Sequence, residues 1–262
     1  MTKRCSKLVV AVLVCAVALA GCIPAGPLFS LLQLAPVTGP IGPRSVAITF
    51  DDGPNPIYTP QVLAILDRYH VKATFFVLGS AAARYPDLLR EIVRRGHAIA
   101  NHSWNHPLLT KLNPTQIDRQ INSTDQVIRR VTGRAPRCVR PPYGGVNRTV
   151  ISRINGSGKA AVIWNIDPLD WKRTSTAAIV SRTLRGIRPG AVILLHDSGG
   201  NRSQTIAALP AIIGGARSRG LDFVPACVPT NQSPPAPTTT STTAPVTTTS
   251  TTTTPVTTTT AA

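Results

Sequence analysis

The chain has 262 residues and carries 28 Lys+Arg against 11 Asp+Glu, a formal charge of +17. That length allows one domain of ordinary size with extensions, and the charge either suits an anionic partner, such as nucleic acid, anionic lipid or an acidic polymer like a bacterial cell wall, or is a generic solvated basic face. No nucleic-acid partner is expected, because the chain has no Lys/Arg run interleaved with aromatics and no signature of a nucleic-acid-binding module.

Lys3, Arg4 and Lys7 precede an uncharged apolar run over 8–20, of signal-peptide length and too short to span a bilayer. The run ends in LAGC, whose small residues before Cys22 look like a bacterial lipobox. That likeness implies a leader over 1–21, cleavage before Cys22 and a lipid anchor to the membrane on its sulfur. An ordinary secretory signal that happens to contain Cys22 is the other reading. Both put the mature protein outside the cytoplasm, at the outer face of the membrane or in the wall. Cys5 and Cys15 leave with the leader, so Cys138 and Cys227 remain. In an oxidising compartment they form either a disulfide or two buried free thiols.

Residues 22–43 are rich in Pro and Gly and uncharged, as a tether would be. Between them and the C-terminal segment, short β-branched or aromatic runs recur at SVAITF, KATFFVL, HAIANH, CVRPPY, AAVIWNI, AVILLH and LDFVPA. Helical patterns fall between them over 59–69, 81–95, 115–132, 148–156, 176–185 and 204–219. Seven strands alternating with helices specify a parallel α/β architecture over 44–228, as an open sheet or a barrel. VAITF and AVILL are almost continuously apolar, as strands buried on both faces are. From 229 to 262 the chain is mostly Thr, Pro, Ser and Ala without charge, a composition expected to form a disordered tail.

Chemistry-bearing residues collect at the C-terminal ends of these strands: Asp51-Asp52, His102 and His106, Arg140, Asp167, Asp170 and Trp171, and His196-Asp197. Five of the 11 acids and three of the five His lie there, on the edge that carries active sites in parallel α/β folds. His102 and His106 are four apart, which lets two imidazoles converge on one metal; Ser103 stands where a zincin helix would have Glu. A carboxylate as third ligand makes a His₂-carboxylate site with an open position. Adjacent like charges at Asp51-Asp52 repel, and a divalent ion relieves this. One Asp binds it, while the other takes a proton from water whose pKa the ion lowers toward about 7.

TFDDGP, HSWNHP, RPPYG, DPLDW and LLHD, in that order, resemble the five motifs of the polysaccharide deacetylases, the NodB-homology domain of carbohydrate esterase family 4. The strings VKATFFVLG and NRSQTIAALP add to the likeness. The resemblance implies a distorted (β/α)₇ barrel and removal of N-acetyl groups from a polysaccharide. It implies Asp51 as general base and Asp52, His102 and His106 as ligands of a divalent metal, usually zinc, with cobalt an alternative. Arg140 would orient the base, the Tyr143 backbone N–H would stabilise the oxyanion, and His196 would be the general acid, paired with Asp170. Tyr143, Trp171 and Leu194 would pocket the acetyl methyl. One position departs from the pattern: Pro168 stands where the family often has Ser, on the loop carrying Asp170 and Trp171. An exported basic enzyme meets peptidoglycan first, so peptidoglycan N-acetylglucosamine is the expected substrate and a monomer the expected state. The alternatives are chitin or chito-oligosaccharides, then N-acetylmuramic acid, O-acetyl xylan, or a wall-binding lipoprotein without activity.

Overall fold

The computed structural model describes residues 42–227; the expected leader, the Cys22 anchor, nearly all of the tether and the tail lie outside the described residues. The elements are β1 (Ser45–Asp51), α1 (Thr59–Arg68), β2 (Thr74–Val77), α2 (Gly79–Arg84), α3 (Pro86–Arg94), β3 (Ala98–Asn101) and α4 (Pro114–Thr132). They continue with β4 (Cys138–Val139), α5 (Arg148–Gly156), β5 (Ala160–Ala161), α6 (Thr176–Gly186), β6 (Val192–His196), α7 (Ser203–Arg217) and β7 (Asp222–Phe223). Among the described residues no helix is long and apolar enough to cross a membrane.

All pairings are parallel, in the order β5-β4-β3-β2-β1-β6. β7 joins the first residues of β1, with Ser45 opposite Asp222 and Val46 opposite Phe223. The two ends of the curled sheet meet at one parallel bridge, Ile166 to Ile193. That single bridge is what makes the architecture a distorted (β/α)₇ barrel, as the motif resemblance implied. It also explains why AAVIWNI yields only a two-residue strand: the chain leaves β4 after Ala161 and reaches β6 at Ile166.

Burial explains the apolar runs. In β1, Val46, Ile48 and Phe50 pack outward with helix residues such as Leu63, Leu66, Leu209 and Ile213. Ala47 faces the interior with Phe76, Ala100, Val162 and Val192. Each large apolar side chain so buried contributes roughly 1.5–3 kcal/mol. Small interior residues leave room for the polar side chains of Thr49 and Asp51, which follow Ala47 on the same face at the strand period of two.

Local signals set most boundaries. Asn113 caps α4 in a reciprocal pair with Gln116, and Gly133 ends it at φ +75°. The helix expected over 81–95 is two helices, because Pro86 cannot donate within a helix and instead starts α3. Cys138 and Cys227 form a disulfide that ties β4 to the segment after β7, deciding between the two readings of that pair.

Candidate active site

Asp51 ends β1 and His196 ends β6, directly opposite each other in the strand register. The neighbouring strand ends bring the other residues to the same edge. Asp51, Asp52, His102, His106, Tyr143, Trp171, Leu194 and His196 all line one cavity of about 550 Å³. Arg140 and Asp170 stand behind it, fully buried.

Asp51 is clamped from the interior. Arg140 Nη1 donates to Asp51 Oδ1 at 2.6 Å and to Thr49 Oγ1 at 2.8 Å, and its guanidinium lies 3.9 Å from the centre of the Phe76 ring. Asp51 Oδ2 is left 3.6 Å from His102 Nε2. Burial pushes the Asp51 carboxyl above its ordinary pKa, and the charges of Arg140 and His196 oppose that rise without cancelling it.

Asp52, His102 and His106 each offer one ligand atom, and these atoms lie within 4.8 Å of one another. Asp52 Oδ1 is 3.7 Å from His102 Nε2 and 3.5 Å from His106 Nε2. The backbone is bent to achieve this: Asp52, Ser103 and His106 have φ of +73°, +70° and +64°, a conformation uncommon outside glycine and found at functional sites. Tyr143, whose ring centroid is 4.5 Å from that of His106, has φ +60°.

The loop from His102 to His106 is held from α4 and from within. Gln120 Oε1 accepts from Trp104 N at 2.8 Å and from Asn105 N at 3.3 Å, and its Nε2 donates to Asn105 Oδ1 at 2.8 Å. Asn101 Nδ2 donates to Ile121 O and Asp125 Oδ1, its Oδ1 accepts from Ser103 N, and Ser103 Oγ accepts from His106 N.

On the other side His196 Nδ1 donates to Asp170 Oδ1 at 2.8 Å. Burial disfavours the imidazolium most strongly, but the hydrogen bond and charge of Asp170, with the charges of Asp51 and Asp52, outweigh it and raise the pKa of His196. The cavity therefore holds a carboxyl and an imidazole whose pKa values are both displaced upward. Pro168 leaves the Asp170–His196 pair intact; its carbonyl accepts from Arg182 Nη1 at 3.2 Å.

The polysaccharide deacetylase family matches residues 38–162. A chitooligosaccharide deacetylase of Bradyrhizobium sp. (strain ANU 289) is 41% identical over 196 residues, covering 70% of this chain and 90% of the relative. The chain belongs to the polysaccharide deacetylase family. A peptidoglycan-N-acetylglucosamine deacetylase of Bacillus cereus is 38% identical over 188 residues, covering 71% of this chain and 68% of the relative. Among solved structures, a peptidoglycan N-acetylglucosamine deacetylase in complex with a benzamide ligand superimposes with a TM-score of 0.69 at 37% identity, over 71% of this chain and 88% of that one. The deacetylase is thus an enzyme with the half-closed barrel of its relatives.

Deacetylases of this family are metal-dependent, and the residues of this polysaccharide deacetylase fit a cation. Asp52 Oδ1 is buried without a hydrogen-bond partner and faces both imidazoles. His102 Nδ1 donates to the Arg140 carbonyl at 2.7 Å, which leaves Nε2 with its lone pair toward Asp52. Burial holds His102 neutral, with its pKa down to about 3.

Several residues of the deacetylase site carried no role in the sequence reading. Thr49 shares the interior face with Asp51, a signal the strand period contains. Arg202 lines the cavity, and Thr205 bonds Asp170; both lie in NRSQTIAALP. Gln120 has no local signal, being 16 residues from Trp104. Asp197 Oδ2 accepts from Thr59 Oγ1 at 2.5 Å, and a Cβ on Gly53 would lie 2.4 Å from Asp197 Oδ1. This explains why glycine follows the Asp pair. Burial pushes the Asp197 carboxyl up to about 7 against the Thr59 hydrogen bond.

Proposed function

We propose that this deacetylase hydrolyses the acetamide of N-acetylglucosamine in peptidoglycan, releasing acetate and a free amine. One observation carries the reading: Asp51 and His196, a carboxylate and an imidazole opposite each other in register, face the same cavity as Asp52, His102 and His106.

Asp51 is the base. Arg140 holds Oδ1 and thereby orients Oδ2 to take a proton from the attacking water. Asp52, His102 and His106 would hold a divalent ion, zinc by the character of the two-nitrogen, one-carboxylate donor set, with cobalt the alternative. Such an ion, when bound, polarises the carbonyl and makes water acidic enough to attack at neutral pH. The Tyr143 backbone N–H donates to the carbonyl oxygen as that oxygen gains charge. His196, with Nδ1 engaged by Asp170, presents Nε2 to the amide nitrogen and gives it a proton as the C–N bond breaks. Tyr143 and Trp171 are 67% and 47% exposed at the cavity, and with Leu194 they would enclose the acetyl methyl.

The substrate reading is supported by the +17 charge, which suits a polymer bearing carboxylates, by the exported leader, and by the name of the Bacillus cereus relative. The chain then works as a monomer outside the cytoplasm. Residues 1–21 are the leader, Cys22 the lipid anchor, 22–43 the tether, 44–228 the catalytic domain and 229–262 a tail. A second reading, chito-oligosaccharide as substrate, is favoured by the Bradyrhizobium relative.

Acetate release from purified peptidoglycan and from chitohexaose, assayed in parallel with zinc-loaded protein, tests both readings. Release from peptidoglycan that disappears in Asp51→Asn is expected. Release from chitohexaose alone moves the substrate to the second reading, and release from neither overturns both.

A further inference from the structure

Asp170 lies in a short turn, Asp170–Lys172, bounded by two residues of positive φ, Leu169 at +60° and Arg173 at +55°. No strand pairing holds this turn. Its carboxylate nonetheless meets the imidazole squarely, because three donors converge on it. His196 Nδ1 reaches Oδ1 at 2.8 Å, while the His196 backbone N–H and Thr205 Oγ1 both reach Oδ2 at 2.9 Å.

Thr205 comes from the first turn of α7 and is 1% exposed. Arg202, which precedes that helix, is 3% exposed. Its Nη1 donates to the Asp170 carbonyl at 3.3 Å, its Nε to Ser198 O at 2.5 Å and its Nη2 to Gly199 O at 3.0 Å. Among the described residues no carboxylate pairs with it at salt-bridge distance. Burying an arginine without an acid is costly, so its burial is not explained by charge pairing. What the rigid guanidinium fork does is tie the turn carrying Asp170 to the two residues that follow His196-Asp197.

We propose that Arg202 and Thr205 are positioning residues for the proton donor. The start of α7 clasps Asp170 by carboxylate and carbonyl together, fixing the plane in which it meets His196 Nδ1 and hence where Nε2 points in the cavity. This rests on the reading of His196 as the acid. It gives the NRSQT stretch a role in the reaction through Asp170.

Thr205→Val, which keeps shape and removes the hydroxyl, tests it on the full chain with acetate release from the better of the two substrates. The expected result is a kcat lowered about 10-fold to 100-fold with KM and the zinc dissociation constant unchanged. Thr205→Ser should restore kcat to near the wild-type value. In an Asp170→Asn background, Thr205→Val should add no further loss, since its route is gone. Equal losses in both backgrounds, or a wild-type kcat in Thr205→Val, overturn the proposal. If Thr205→Val does not fold, Arg202→Lys decides by the same kcat-against-KM criterion. His196→Ala serves as the reference: full activity there sinks the acid assignment itself, whereas an inactive His196→Ala beside an unimpaired Thr205→Val sinks only the clasp.

Discussion

Arg140 Nη1 and Asp51 Oδ1 are 2.6 Å apart inside the barrel, with the arginine wholly sealed from solvent and the aspartate 2% exposed. The two are 89 residues apart in sequence, and Thr49 shares the same guanidinium nitrogen. The pair is a buried charge couple whose members depend on each other, which makes its disruption measurable.

Removing the cation leaves an uncompensated carboxylate. Arg140→Met should destabilise the protein by about 3–5 kcal/mol in urea titrations and push the Asp51 pKa further up. In an Asp51→Asn background the same substitution should cost clearly less. Equal costs in the two backgrounds would mean that Arg140 stabilises by packing on Phe76 alone.

The pH–rate profile should have two limbs. As the proposed base, Asp51 has to be ionised, and its pKa is raised above 3.8, so the acid limb is displaced upward from that of a free carboxyl. As the proposed acid, His196 has to be protonated, and its pKa is raised above 6.5, so the basic limb lies above that of a free imidazole. Asp170→Asn removes the anion that favours the imidazolium and should move the basic limb to lower pH. An unmoved basic limb would detach that limb from His196.

Stability should respond to pH through His97, a buried ring whose Nδ1 accepts from Ala73 N at 3.2 Å. Burial, with the charge of Lys72, lowers its pKa from 6.5 to about 4. It is neutral in the fold, while the unfolded chain takes up a proton below about 6.5. Its contribution is complete above that pH and falls as pH drops toward 4, by about 3 kcal/mol. The difference in stability between wild type and His97→Gln, measured by urea at pH 7.5 and 4.5, should shrink by an amount of that order. A pH-independent difference would contradict a neutral His97.

The loop carrying the proposed ligands His102 and His106 is hydrogen-bonded by Gln120, which is not one of them. Gln120→Leu removes three hydrogen bonds to Trp104 and Asn105 and should weaken zinc binding by about 10–100-fold, by calorimetry, with the far-ultraviolet circular dichroism unchanged. Unaltered affinity would show that the Asn101–Ser103–His106 chain suffices.

Cys138 and Cys227 close a loop of sequence separation 89, for which the chain-entropy contribution is at most about 4–5 kcal/mol. Cys138→Ser should lower the melting temperature while leaving metal binding unchanged, because neither sulfur lines the cavity. A melting temperature equal to wild type under non-reducing conditions would remove the disulfide from the stability of the fold.

The alternation of apolar runs and helical patterns was enough to find the architecture, because buried parallel strands need β-branched and aromatic residues whatever surrounds them. The helix starts at Pro114 and Arg148 are legible within a residue for the same local reason, whereas hydrophobic period runs on through the break at Tyr85-Pro86, which proline chemistry imposes. The ordered motifs made the family and the set of cavity residues legible, since chemistry demands particular side chains at strand ends. Sequence pattern could not decide how Arg140 reaches Asp51 and Thr49, which cysteine reading holds, how Gln120 grips the histidine loop, or why Arg202 and Thr205 gather at Asp170. Those partners lie 15 to 91 residues apart, and pairings at such separations are set by the closure of the barrel and the packing of its helices rather than by any local propensity.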